Sequence, residues 1–288
     1  MAEEANSNPT RVAYQGIPGA YSHQAAIQFF AERPIKLQAY PDFSDIFNAV
    51  ETGQADYAIL PIENALAGFV LASCDLLLKT PLYVKAEIYL DIHHCLLAQP
   101  TVRLQDITTA ISHPQALAQC SQYLSAQSWQ TLDYSNTAAA AQYVSQQPDP
   151  YIAAIASEHA AKNYALNILA RDIANQPFNQ TRFFVLSRQP NTAYSLSENC
   201  KTLLACTLKN AVDPIQPILN ILTSADVSLI NLQTRPDHET PWQYTFLIEL
   251  KGTINRIKQN IKAACLHTDI LHSFGQYADG LETGEAKI

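Results

Sequence analysis

Ala110-Ile111-Ser112-His113-Pro114-Gln115-Ala116-Leu117 runs from a short apolar segment, through a capping residue, into a helical pattern. Proline suits the first helical position, where its missing N–H costs nothing. A helix starting there sets Gln115 and Gln119 four apart on one face. The same unit recurs on both sides. Val12 to Gln15 leads through Gly16-Ile17-Pro18-Gly19 to Ser22 and a helix over 23–32. Tyr57 to Leu60 leads to Pro61-Ile62-Glu63-Asn64. Leu132 to Tyr134 leads to Ser135-Asn136-Thr137 and an alanine-rich helix, and Ile152 to Ala156 leads to Ser157-Glu158 and a helix reaching Leu166. Strands alternating with helices predict α/β layers around a largely parallel sheet. Ligands in such sheets bind at the carboxyl ends of the strands. Here those ends carry Ser, Asn, Thr and Gln beside helix N-termini, whose N–H groups and dipole favour anions. One such residue is an ordinary cap, and five such ends point to a binding cleft.

The segment Asn179-Gln180-Thr181-Arg182-Phe183-Phe184-Val185-Leu186 reads as a buried strand entered through a hydroxyl and a guanidinium. An Arg that loses water needs a partner, and no acid adjoins this one in sequence. A Thr donor beside an anion-seeking Arg fits a small carboxylate; a strand with solvated first residues is the plainer alternative.

The length of 288 residues corresponds to about two domains. The net charge of −8 and the absence of any Lys/Arg cluster argue against nucleic acid as a partner. An anionic ligand must then be held locally, by helix ends and a few Arg residues. The six cysteines form no CxxC pair and read as reduced cytosolic thiols. The first ten residues are polar and acidic, unlike a signal peptide, and no apolar run is long enough for a bilayer. The expectation is a cytoplasmic protein with no membrane partner.

After Leu186 the composition changes. Residues 189–200 read as a linker. Strands are expected at Thr202–Leu208, Val227–Thr234, Trp242–Leu250 and Ile270–Tyr277, and helices at 214–224 and 254–267. That βαββαβ order describes a ferredoxin-like domain over 201–278.

Several motifs fail on inspection. Gly16-x-x-Gly19 lacks the third glycine and downstream acid of a dinucleotide fingerprint. His93-His94-Cys95 and Cys265-x-His267-x4-His272 lack convincing four-ligand spacing and lie in apolar elements, so packing is the expected role. No Gly-x-Ser-x-Gly elbow and no Walker loop is present.

The ordered set resembles the prephenate dehydratase family, with arogenate dehydratases as close relatives. The matching pieces are residues Tyr14 to Ser22, Pro61-Ile62-Glu63-Asn64, His94-Cys95-Leu96-Leu97, Ser112 to Cys120, and Thr181-Arg182-Phe183, which is similar to the family's Thr-Arg-Phe signature. The unit after the linker resembles an ACT domain through Asn231-Leu232-x-x-Arg235-Pro236 and Pro241-Trp242. The resemblance implies a catalytic region over 11–188 of two α/β lobes, similar to periplasmic-binding-protein lobes, with the site in the cleft. It implies conversion of prephenate to phenylpyruvate for phenylalanine synthesis, with no metal and no organic cofactor. It also implies a chain without a fused chorismate mutase, a homodimer or homotetramer, and phenylalanine as an allosteric ligand. Three departures stand out: Ala65 where the family has Ser or Thr, Asp213-Pro214-Ile215 in place of Gly-Ala-Leu, and Gln233-Thr234 in place of Glu-Ser. The last two weaken Asn231 and Arg235 as regulatory contacts. Arogenate as substrate, or a non-catalytic ligand-binding module, are the alternative readings.

Loss of the ring carboxylate and hydroxyl makes the ring aromatic, so the barrier lies in expelling hydroxide. The resemblance makes Thr181 the catalytic candidate, bonding the departing oxygen or relaying a proton to it. Ser22, Asn64, Ser112 and Gln119 are neutral donors suited to orienting substrate. Arg182 is expected to order the site or pair with the carboxylate that survives, since clamping the leaving one would stabilise the ground state. Glu63 would repel a dianion and is expected to hold Arg182 or a helix end.

Overall fold

The computed structural model describes residues 8–147, 149–191, 200–208, 215–223, 226–237, 240–266 and 268–280. Most of the expected linker, Asp213-Pro214 and His267 lie outside these residues. The chain opens with β1 (Thr10–Gln15), α1 (Tyr21–Phe29), β2 (Ile35–Tyr40), α2 (Phe43–Glu51), β3 (Tyr57–Asn64), β4 (Gly68–Phe69), α3 (Leu71–Leu77) and β5 (Tyr83–Asp91). It crosses to a second sheet through β6 (Cys95–Ala98), β7 (Thr109–Ser112), α4 (Pro114–Gln119), α5 (Ser121–Ser125), β8 (Gln130–Asp133), α6 (Thr137–Gln146), β9 (Ile152–Ala156), α7 (Glu158–Tyr164) and β10 (Asn167–Ala170). It returns to the first sheet as β11 (Gln180–Ser187). The first sheet has the order β2-β1-β3-β11-β5, with β4 on β3, and the second has β10-β6-β9-β7-β8.

These are the two expected α/β lobes, but the second sheet is mixed. β7 runs parallel to β8 and β9, whereas β6 and β10 are antiparallel to their neighbours. Those two strands carry the chain into and out of the lobe, so they lack the helical crossover that makes strands parallel. The helix expected over 115–125 is two, broken at Cys120, where φ is −111°.

Alternation along the strands divides the core of the second lobe. Leu97, Ile111 and Ala154 pack with Ala140, Val144 and Ala160 on one face, and Leu96, Ala110 and Ile155 pack with Leu117 and Leu124 on the other. Both faces being covered explains the unbroken apolar strand sequences. The alanines of α6 have a packing reason: Ala138, Ala140 and Ala141 are fully buried.

The C-terminal elements are β12 (Cys200–Leu208), α8 (Gln216–Leu222), β13 (Val227–Pro236), β14 (Tyr244–Gly252), α9 (Ile254–Ala264) and β15 (Thr268–Ala278). Their antiparallel sheet, ordered β13-β14-β12-β15, has ferredoxin-like topology. Leu204, Cys206, Ile248 and Leu250 meet Ile218, Leu222 and Ile257 between sheet and helices. Trp242 does not begin β14 as expected. It sits in a turn with φ of 67° and is 82% exposed.

Residues up to 46, 59–69 and 89–183 form one compact unit, and 47–58, 70–88 and 184 onward form another. These units do not follow the expected 11–188 and 201–278 division. Within the second unit, Arg235 on β13 holds Asp75 on α3, and Lys201 on β12 holds Glu87 on β5. Segments from inside 11–188 therefore pack with the C-terminal part. Among the described residues no helix is long and apolar enough to cross a membrane.

Candidate active site

Two segments of the first unit join its lobes. Residues 92–94 lead from β5 to β6, and 171–179 lead from β10 back to β11. They lie side by side, with Ile92 N donating to Asn179 O at 2.7 Å and Ile173 N donating to His94 O at 3.1 Å. A chain of polar side chains runs along them. Asn64 Nδ2 donates to Thr181 Oγ1 at 2.9 Å and to Asn179 Oδ1 at 2.8 Å. Asn179 Nδ2 donates to Gln119 Oε1 at 3.1 Å, and His94 Nε2 lies 2.9 Å from the same oxygen. Tyr21 Oη closes the chain, 3.1 Å from His94 Nδ1.

Donor and acceptor roles follow from the inventory of each group. Asn64 Oδ1 accepts from the N–H groups of Leu66 and Ala67, at 3.1 and 3.0 Å. That fixes the amide and points Nδ2 at Thr181. Thr181 Oγ1 then accepts from Asn64, which leaves its own hydrogen to be donated elsewhere. Gln119 Oε1 accepts twice, so its Nε2 hydrogens are the groups left for a ligand. Because that oxygen only accepts, His94 carries its hydrogen on Nε2, and Nδ1 accepts from Tyr21.

Thr181, Asn64, Gln119 and Ser22 line one cavity of about 190 Å³, together with Gln15, Tyr21, His94, Gln115 and Asn136. The starts of α1 and α6 open into it through Ala20, Tyr21, Ser22, Asn136 and Thr137, and the start of α4 through His113, Gln115 and Ala116. Among the described residues no Lys, Arg, Asp or Glu lines it. Burial pushes the His94 imidazole below its ordinary pKa and the Tyr21 phenol well above its own, so both are neutral at neutral pH. Two wider hollows in this unit, about 600 and 460 Å³, both border Glu158, Lys162 and Arg171. Their charges already pair with one another: Arg171 with Glu158, Lys162 with Glu158 at 3.4 Å, and His93 with Asp172 at 2.8 Å. The small cavity is where unspent neutral donors gather.

Five sequence candidates, Glu63, Ser112, Arg182, Asn231 and Arg235, lie elsewhere. Ser112 is fully buried at the end of β7, and its hydroxyl donates to Ile155 O at 2.6 Å, so it braces the sheet beneath the cavity. Arg182 is 6% exposed and absent from the lining. Its Nη1 lies 3.6 Å from Glu63, and its guanidinium carbon is 6.0 Å from the centre of the Tyr89 ring. The pairing of Glu63 with Arg182 was one of the two expected arrangements. The structure does not bring Arg182 to the cavity as a carboxylate clamp, because neighbouring residues of a strand face opposite ways. Asn231 and Arg235 belong to the second unit, where Arg235 makes a bidentate pair with Asp75 at 2.5 and 2.7 Å. Sequence reasoning missed Tyr21, His94 and Asn179. Asn179 was open to inference, since it stands two residues before Thr181 and so shares its face. Among the described residues no group of three or more His, Cys, Asp or Glu is placed to hold a metal.

The fold and cavity define a two-lobed α/β protein with neutral donors and helix starts gathered around one small cavity. The profile of the prephenate dehydratase family matches residues 12–191, and the chain belongs to that family. It is 38% identical over 252 residues to the bifunctional chorismate mutase/prephenate dehydratase of Escherichia coli K12, covering 86% of this chain and 65% of that protein. The chain thus spans just under two thirds of that relative. A solved prephenate dehydratase from Arthrobacter aurescens, in complex with L-Phe, is 26% identical with a TM-score of 0.86, covering 97% of this chain and 92% of that one. A structure described as GqqA, a novel type of quorum quenching acylase, is 28% identical with a TM-score of 0.84, covering 93% and 97%.

Proposed function

We propose that this chain is a prephenate dehydratase, a lyase removing water and carbon dioxide from prephenate to give phenylpyruvate for phenylalanine synthesis. The observation that carries the reading is the directed hydroxyl of Thr181. Asn64 fills one acceptor position of Oγ1, so the Thr181 hydrogen faces a cavity ringed by neutral donors. A donor held there strengthens its bond as charge builds on the departing oxygen, which is the condition for lowering a barrier. Gln119 Nε2 and the starts of α1 and α6 supply partners for the carboxylates. Ser22 and Asn64 orient the substrate from the lining, Ser112 acts from beneath it, and Arg182 with Glu63 orders the strand that carries Thr181.

The lining favours prephenate over arogenate. The two differ where a keto group is replaced by an ammonium, and a carboxylate facing the side chain would favour the latter. Among the described residues none lines the cavity. The fold shared with the acylase does not carry an activity, because function resides in the site.

The C-terminal βαββαβ unit fits an ACT domain following a catalytic region at 11–188. Phenylalanine as its ligand is supported by the L-Phe complex of the Arthrobacter aurescens structure. Arg235 is engaged by Asp75, so Asn231 is the better candidate contact of the two. A cytoplasmic homodimer or homotetramer fits the same reading.

Parallel assays with prephenate and arogenate, with and without phenylalanine, test this. Phenylpyruvate should form from prephenate faster than phenylalanine forms from arogenate. Turnover of arogenate alone, or of neither, would contradict it.

A further inference from the structure

We propose that His94 holds the proton which the reaction consumes, and that the Tyr21 hydroxyl hands it to the departing oxygen. The inference rests on the prephenate reading and assigns its missing acid. Prephenate is a dianion, and its products are a monoanion, carbon dioxide and hydroxide, so one proton must arrive. Thr181 is too weak an acid to supply it alone. Besides Tyr21, the titratable side chains on the cavity lining among the described residues are His94 and His113. His113 is committed, its Nδ1 accepting from Gln115 N at 3.2 Å as the cap of α4.

The surroundings of His94 let it change charge with no hydrogen bond lost. Tyr21 Oη has two partners: His94 Nδ1 at 3.1 Å and the carbonyl of His93 at 3.0 Å. With His94 neutral, the phenol donates to Nδ1. With His94 protonated, Nδ1–H donates to the phenol oxygen, and the phenol hydrogen is free to turn to His93 O or into the cavity. Nε2–H stays on Gln119 Oε1 in both states. The other ionisable groups nearby are Cys95 and Cys120, with burial raising both thiols, and His93, which disfavours charge on His94 and has its Nδ1 2.8 Å from Asp172. Burial disfavours charge on His94, and a carboxylate within about 4–6 Å pulls it the other way.

The step balances. The ring carbon–oxygen bond breaks with its pair going to oxygen. The carbon–carbon bond to the ring carboxylate breaks with its pair entering the ring, releasing carbon dioxide. Tyr21 gives its proton to the oxygen, which leaves as water held by Thr181, and takes one from His94 Nδ1. Neutral His94 reloads from solvent with the next substrate. His94 acts through Tyr21, so it is a positioning and proton-holding residue, and Tyr21 is the catalytic one.

The test is kcat for prephenate as a function of pH in the wild type, His94→Gln and Tyr21→Phe. The wild-type kcat should fall as pH rises through the pKa of bound His94. Glutamine keeps an N–H for Gln119 but cannot titrate. That variant should lose about 10²-fold in kcat and show a profile without the alkaline fall. Tyr21→Phe should lose activity by a similar factor. A His94→Gln enzyme within a few-fold of wild type, or one keeping the wild-type profile, would overturn the proposal. The wild type alone can also overturn it, if kcat is flat over about pH 5 to 8. No prephenate turnover in any protein would instead sink the prephenate reading.

Discussion

The two compact units bury polar groups in opposite ways. In the first, the amides of Asn64, Asn179 and Gln119 satisfy one another and leave two donors, Thr181 Oγ1–H and Gln119 Nε2, facing a cavity. In the second, Lys201 sits 4% exposed among Glu87 at 2.8 Å, Asp279 at 3.3 Å and Glu249 at 4.0 Å. Lys251 reaches Asp279 at 2.9 Å, Tyr277 donates to Glu249 and the Gly280 N–H donates to Glu87. The charged cluster answers its own charges and offers nothing to a ligand. The neutral one has no strong charge to answer, so its surplus hydrogens can be aimed outward. A site for an anion that must lose a carboxylate is better built the neutral way, because a fixed cation would hold the group that has to leave.

The contrast predicts where damage should fall. Lys201→Met takes the shared buried cation from three carboxylates, leaving Lys251, Tyr277 and the Gly280 N–H to answer them, and should destabilise the protein by about 3–5 kcal/mol. Denaturant titration measures this, and a loss below about 1 kcal/mol would mean the cluster rearranges freely. Asn179→Leu should cost about 1–3 kcal/mol, as it takes a partner from both Asn64 and Gln119. It should also raise KM for prephenate, because Gln119 is no longer held; an unchanged KM would remove Gln119 from substrate binding. Arg235→Ala breaks a bidentate pair whose acid is 30% exposed, so the expected cost is smaller, about 1–2 kcal/mol. Melting curves of Arg235→Ala and Asp75→Ala should shift alike.

The smallest effect concerns His23. It lies 2.9 Å from His159 Nε2, and burial, with His159 beside it, lowers its pKa to about 4. The unfolded chain binds this proton near pH 6.5 and the folded chain only near 4. Folding therefore excludes a proton between these values, and stability falls as pH drops from about 6.5 towards 4. His23→Gln should flatten that part of a plot of melting temperature against pH.

Much of this was legible in the sequence and some was not, for physical reasons. The strand–cap–helix units located the cavity, because capping residues and helix starts are local features. Asn64, Gln119, Ser22 and Thr181 meet in it. The α/β layering and the βαββαβ order followed from periodicity, and the division into two lobes from the family resemblance. The adjacency of Thr181 and Arg182 misled, though strand alternation separates their side chains. His94 was passed over as packing, since its partners are 73 and 25 residues away, and no local pattern encodes that meeting. Ser112 looked like a donor until β9 claimed its hydroxyl.

The central claim is that the Thr181 hydroxyl helps the oxygen depart. Steady-state turnover of prephenate by Thr181→Ser and Thr181→Val tests it most directly, with phenylpyruvate binding measured alongside. Serine should keep most of kcat, and valine should lose about 10²-fold or more while still binding phenylpyruvate. A valine enzyme turning over near the wild-type rate would contradict the account.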